Sequence, residues 1–161
     1  MRLKTFKAQP DERSEFQESV RNFFKKSSLK VHDINGLFDL LIESPTVGTD
    51  SYLELKVRLA SQHSKCAISR LQWHFFRTRS ATSFFAENFR VLIYDHERRM
   101  FALATTADLA SGLTMSTPRS TSYISKACLD KLDWRNPTVA STLLLNWVRR
   151  STKRKKSSIR S

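Results

Sequence analysis

Apolar positions along the first 26 residues recur with helical spacing. Phe16, Val20, Phe23 and Phe24 stand at i, i+4, i+7 and i+8, one stripe of a helix that ends near Lys26. Pro10, Asp11 and Glu12 open it, since proline and acids favour a first turn. Met1–Gln9 ahead of it reads as a frayed basic arm. Leu29–Val31 is apolar enough for a first short strand. Two runs, Leu37–Ile42 and Tyr52–Val57, then flank Pro45, Gly48 and Asp50, and this pattern predicts a β-hairpin. Arg58–Lys65 is polar; Cys66, Ala67 or Ile68, Leu71 and Phe75 predict a helix through about Phe76. Phe89–Tyr94 is the clearest strand, paired across the turn Asp95–Arg99 with Met100–Thr105. Asp108–Ala110 starts a short helix, Thr114–Ser122 is a Ser/Thr-rich loop around Pro118, and Ser125–Trp134 and Pro137–Arg150 are two more helices. In the last of these Val139, Leu143, Leu144, Trp147 and Val148 face inward. The elements add up to an α/β fold, a central mixed β-sheet flanked by helices. Residues 1–150 form one domain, and 151–161 are a basic tail expected to be disordered until bound.

The predicted hairpin gathers charge. Alternation along the second strand places Tyr52, Glu54 and Lys56 on one face and Leu53, Leu55 and Val57 on the other. Folding about Thr46–Val47 puts Asp39 opposite Glu54 or Leu55. Cross-strand neighbours lie about 5 Å apart at Cβ, so two carboxylates and an ammonium meet at one place. A divalent cation is the simplest reason for like charges so close. Mg²⁺ takes one or two carboxylates together with waters and phosphate oxygens, and Mn²⁺ can replace it. A lysine beside it would act on the attacking water and on transition-state charge. The bland alternative is a surface hairpin whose Glu54 and Lys56 are solvated, because Glu-x-Lys triplets are common.

Twenty-eight Lys plus Arg stand against fifteen Asp plus Glu, a net charge of +13 in 161 residues. That surplus favours a polyanionic partner, because neutralised phosphates release counterions. Ribosomal-type, membrane-surface and DNA-binding proteins share it, so charge alone selects no function. Lys25, Lys26, Arg58, Lys65, Arg70, Arg77 and Arg79 flank the proposed site. Arg149, Arg150, Lys153, Arg154, Lys155 and Lys156 crowd the C-terminus, where they would grip phosphates without reading sequence. Cys66 and Cys128 lack metal-ligand spacing and read as small hydrophobes. His63 and His74 read as surface or packing residues. Trp73, Phe75, Phe76, Phe84 and Phe85 read as core. No apolar run is long enough to span a membrane and no signal peptide is visible, which suggests a reducing, cytoplasmic setting.

Gly36 to Lys56, with Asp39 in GLFDLLI and Glu54 and Lys56 in YLELKV, resembles the PD-(D/E)XK, or restriction-endonuclease-like, nuclease superfamily. Phe38 takes the place of the proline that often precedes the aspartate. The resemblance spans about Glu12 to Leu109. It implies an αβββαβ core and a metal-dependent DNA endonuclease that leaves 5′-phosphate and 3′-hydroxyl ends. Asp39, Glu54 and the carbonyl of Leu55 would hold Mg²⁺, with a first-helix acid, Glu12 ahead of Glu15 and Glu18, beside them. Lys56 would stand at the water, and Gln72 at the position of a glutamine that orients water or phosphate. Small size and a basic surface are most similar to junction resolvases, which act as homodimers. A restriction or homing-type nuclease is the near competitor, and a non-catalytic basic nucleic-acid-binding protein the rival from another class.

Overall fold

The computed structural model describes residues 1–34, 36–46, 48–58, 66–79, 82–116 and 121–150. A six-stranded mixed sheet forms the centre. Its strands are β1 (Val31–Asp33), β2 (Leu40–Ile42), β3 (Ser51–Arg58), β5 (Phe89–Asp95), β6 (Met100–Ala104) and β9 (Trp134–Arg135), in that spatial order. The pairs are antiparallel except β3 with β5, which run parallel with Glu54 beside Val91 and Lys56 beside Ile93. A smaller sheet holds β4 (Cys66–Ile68), β8 (Thr121–Ile124) and β7 (Leu113–Ser116). The helices are α1 (Gln17–Lys26), α2 (Arg70–Arg79), α3 (Ser83–Asn88), α4 (Thr106–Ala110), α5 (Lys126–Asp130) and α6 (Pro137–Arg149). The expected α/β class, with a mixed central sheet flanked by helices, is what the chain forms.

Strand alternation splits the core between the two faces of the sheet. Leu53, Leu55, Val57, Leu92, Tyr94 and Phe101 pack against Phe16, Val20, Phe23 and Phe24 of the first helix and Leu144, Trp147 and Val148 of α6. Phe89, Val91, Ile93 and Ala104 pack against Phe75, Phe76, Leu109, Ile124 and Leu129. β3 and β5 are covered on both faces, and β5 is accordingly a nearly continuous apolar run, whereas β3 alternates apolar residues with polar ones. Full burial of each apolar side chain contributes roughly 1.5–3 kcal/mol. Glu54 and Lys56 lie at the polar positions of β3, on the second face, at 3 % and 5 % exposure.

Capping explains where the helices start. Asp11 accepts from Arg13 N and Ser14 N, and Asn136 caps α6 by accepting from Val139 N ahead of Pro137. Between Asp11 and α1 the chain makes one wider turn, Glu12–Phe16, closed by Phe16 N–H donating to the Asp11 carbonyl five residues back.

Several sequence expectations need correction. Met1–Gln9 is not frayed: Leu3 is buried and its N–H donates to Ser141 Oγ, while Phe6 N–H donates to the Tyr94 hydroxyl. The first strand is Val31–Asp33, slightly later than Leu29–Val31. Cys66–Ile68 is a strand and not the start of a helix, because Cys66 and Ile68 point into one cluster while Ala67 faces out. Within Thr114–Ser122 the described residues extend β7 and β8, whose alternate positions pack under α4 and α5. The predicted helix Ser125–Trp134 stops at Asp130, and Trp134 joins β9. Leu143 faces solvent at 40 % exposure, and Ala140 takes the inward place instead. Two glycines have fixed tasks. Gly36 has φ +139°, which side-chain-bearing residues rarely adopt, and a Cβ on Gly112 would meet Cys128 at 2.1 Å.

Candidate active site

β2 is short and β3 is long, and the site follows from that mismatch. β2 pairs only with Ser51–Leu53, so the edge of β3 from Leu55 onward has no partner strand among the described residues. Its backbone groups still need partners. Leu55 N–H donates to Asp39 Oδ2 at 2.7 Å and Val57 N–H donates to Glu12 Oε2 at 2.7 Å. Asp39 is itself held by donating its N–H to the Leu53 carbonyl at 3.1 Å. N–H and C=O of one strand residue point to the same side, so the Leu55 carbonyl lies on this open edge between the two carboxylates. Each carboxylate spends one oxygen on the backbone and keeps the other.

On the face beside that edge, Lys56 Nζ lies 3.1 Å from Gln72 Oε1, 3.5 Å from Glu54 Oε1 and 4.0 Å from Glu12 Oε1. Gln72 is fixed from its own end. Its N–H donates to Ser69 Oγ at 3.1 Å while Ser69 N–H donates back to Gln72 Oε1 at 3.2 Å, a reciprocal cap at the start of α2. Gln72 Nε2 donates to the Leu37 carbonyl at 3.2 Å, tying α2 to the loop before Asp39. Phe38 anchors that loop by its ring, 4.7 Å from Phe89, 5.3 Å from Tyr52 and 5.4 Å from Phe75.

Burial pushes Glu54 up to about 8, helped by the charge of Asp39 and opposed by Lys56. Its Oε2 is buried with no hydrogen-bond partner. Burial also raises Glu12, against the pull of Lys56. Positive charge arriving beside Glu54 would favour its ionised form. These groups line a cleft of about 590 Å³ with Arg13, Gln17, Ile34, Gly36 and Ser69.

The structure therefore brings Asp39, Glu54, Leu55, Lys56, Gln72 and Glu12 together. It puts Asp39 beyond the pair Leu40–Leu53, in register with Glu54. Glu12, not Glu15 or Glu18, is the first-helix acid at β3; Glu15 and Glu18 line a separate groove with Met1 and Lys4. Among the described residues, no three His, Cys, Asp or Glu side chains stand as a ready-made metal cluster. The donors that fit a hard cation are Asp39 and Glu54, with the Leu55 carbonyl beside them and Glu12 drawn partly onto Val57 and Lys56.

The cationic ring is less complete than the sequence suggests. Arg58 is a correction: it is 4 % exposed, 2.6 Å from Asp130 Oδ1 and 3.5 Å from Asp95 Oδ2, with its guanidinium over Trp134, so it cannot face a nucleic acid. Arg150 is largely spent as well, donating to Ser51 Oγ and Asn88 Oδ1 and lying over Trp147. Lys25 and Lys26 are exposed but end α1, about 20 Å along its axis from Glu12. Arg70, Arg77 and Arg149 are exposed. His63, Lys65, the Arg79 side chain and Lys153, Arg154, Lys155 and Lys156 lie outside the described residues. Arg13, which the sequence did not single out, lines the cleft instead. The Ser-x-x-Gln spacing of Ser69 and Gln72 is a capping signal that would have located both the start of α2 and its glutamine. Of the aromatic residues, Phe75 and Phe76 are core as expected, but Phe84 is 46 % exposed.

No protein-family model matches the chain. No curated protein matches it either. Among solved structures, D212, a nuclease from a fusselovirus, is similar at a TM-score of 0.43 and 12 % identity, over 81 % of this chain and 85 % of that one. A likeness that loose assigns no chemistry, which has to come from the residues. Among the described residues, no helix is long and apolar enough to cross a membrane.

Proposed function

We propose that the chain is a metal-dependent endonuclease acting on DNA, with Mg²⁺, or Mn²⁺ in its place, held by Asp39, Glu54 and the Leu55 carbonyl and with Glu12 near by. The observation that carries this reading is Glu54: a buried acid with an unpartnered oxygen, beside a second acid on an open strand edge, in a cleft that also holds a lysine. When bound, the cation supplies a polarised phosphate and an activated water. Asp39 and Glu54 would hold the cation against the open edge of β3. Lys56, oriented by Gln72, offers its ammonium to the charge that develops on the phosphorus oxygens. Arg13 at the mouth of the cleft gives the chain a second point of attachment to the phosphate backbone. Action on branched or junction DNA by a homodimer is the finer form of the proposal.

Cleavage of linear, flap, fork and four-way-junction DNA with Mg²⁺ and Mn²⁺ tests it, using the wild type and Asp39→Asn. Asparagine keeps an oxygen for Leu55 N–H and removes only the charge, so the variant should fold normally and lose at least a hundred-fold in rate. Wild-type binding in EDTA with no cleavage in any metal would favour the non-catalytic DNA-binding reading.

A further inference from the structure

An aromatic row leaves the cleft and ends in solvent. Phe38, which lines the cleft, lies 5.3 Å from Tyr52, and Tyr52 lies 6.4 Å from Phe84. The last ring rests edge-on against Phe85 at 5.1 Å and is nearly half exposed. Nothing in the core calls for a phenylalanine there, since Phe75, Phe76, Phe85 and Phe89 already fill the space beneath α3. Two cations outweigh the one acid of α3, Glu87, in the surroundings of Phe84. Arg90 donates to the Ala86 carbonyl, and Arg150 donates to Asn88, whose amide donates in turn to the Phe84 carbonyl. Both guanidiniums sit at the C-terminal end of α3 and flank Trp147 at 5.4 Å and 5.0 Å. α2, which leads to this point, holds arginines and no acid.

We infer that Phe84, backed by Tyr52, is a stacking platform for an unpaired base of the bound nucleic acid, next to the cleft. A flat apolar ring beside fixed positive charge suits one occupant, the base of a single strand whose phosphates lie in the field of the two guanidiniums rather than bonding them. Paired bases present no free face, so the platform favours substrates that are locally single-stranded. The inference rests on the nucleic-acid reading above and not on cleavage.

The test is binding of labelled oligothymidylate, and of a duplex of equal length, to the full chain in EDTA at fixed salt, for wild type, Phe84→Leu and Phe84→Trp. Leucine keeps the bulk and loses the π-face. It should weaken single-strand binding at least about five-fold, the low end for one base–aromatic stack, and leave duplex binding within two-fold. Tryptophan should retain or tighten single-strand binding. Equal single-strand affinity of Phe84→Leu and wild type, or equal losses on both DNAs, would overturn the inference. Because no metal is present, failure of the nuclease proposal leaves these outcomes unaffected, and active cleavage by a Phe84→Leu protein with unaltered single-strand affinity would retain the nuclease and remove the platform.

Discussion

The ammonium of Lys56 meets Gln72 Oε1 at 3.1 Å, and that same oxygen accepts from Ser69 N–H to close the cap of α2. The lysine and the start of the helix are therefore positioned as one unit. Gln72→Ala should cost about 1 kcal/mol of stability through the lost cap and lower cleavage at least ten-fold, because Lys56 loses its neutral partner. Gln72→Glu keeps the Ser-x-x-Glu cap. Its second oxygen faces the Leu37 carbonyl to which Nε2 donated, so its thermal transition should fall modestly, and cleavage falls because the new carboxylate pairs with Lys56. An alanine variant that is less stable yet cleaves at the wild-type rate would reduce Gln72 to a cap.

Glu54 sets the pH dependence of stability. Its folded-state pKa, about 8, lies above the ordinary value of 4.5, so ionisation is harder in the fold than in the unfolded chain. Stability from this group is therefore full below about 4.5 and is eroded as pH rises toward 8. Glu54→Gln has nothing to ionise. In EDTA the variant should equal wild type at pH 4.5 and exceed it by up to a few kcal/mol at pH 8, one pKa unit being about 1.4 kcal/mol. Added Mg²⁺ should close the gap by stabilising only the wild type. Urea titrations at both pH values read this directly, and parallel pH profiles for the two proteins would sink it.

Arg58 should behave as a structural residue. It joins Asp95 across the parallel pair β3–β5 and reaches Asp130 on α5. Arg58→Ala leaves the buried Asp95 with the Arg98 N–H at 3.1 Å and the weak Arg98 guanidinium contact at 3.8 Å but no close cation, and breaking a buried pair this way costs roughly 3–5 kcal/mol. Lys126 and Arg58 hold Asp130 down to about 2, below its ordinary 3.8. The stability it contributes is present above pH 3.8 and lost as pH falls toward 2. Arg58→Ala should thus be less stable at pH 7 and lose less of its remaining stability on acidification. Its DNA affinity at temperatures where it stays folded should be unchanged, and a large loss of affinity would restore Arg58 to the binding surface.

What the sequence revealed, and what it hid, divides by distance along the chain. Asp39, Glu54 and Lys56 were legible because one hairpin register brings them together and strand alternation sets their faces. Glu12 was legible only as a helix acid near an apolar stripe; its bond to Val57 depends on the wide turn at Glu12–Phe16, which no local pattern announces. Cys66–Ile68 was misread because a three-residue strand and the first turn of a helix share the same apolar spacing when followed by Leu71 and Phe75. Arg58 was misread because charge in a sequence carries no sign of burial. Its partners, Asp95 and Asp130, lie 37 and 72 residues away.

Two cuts near the C-terminus should have different consequences. Ending the chain at Trp147 would remove Arg150, which bonds Ser51 at the start of β3 and Asn88 at the end of α3 and covers Trp147. That loss would disturb the sheet as well as the charge. Ending it after Arg150 removes only residues 151–161, five cations and no acid, and should leave the thermal transition unaltered. If those cations grip phosphates, duplex affinity of the shortened chain falls at low salt. The plot of log affinity against log salt should become shallower by up to about 4.5, since each released phosphate contact contributes about 0.9. Single-strand discrimination through Phe84 should survive the cut. A shortened chain with the wild-type salt slope would place the binding charge entirely on Arg13, Arg70, Arg77 and their neighbours around the cleft.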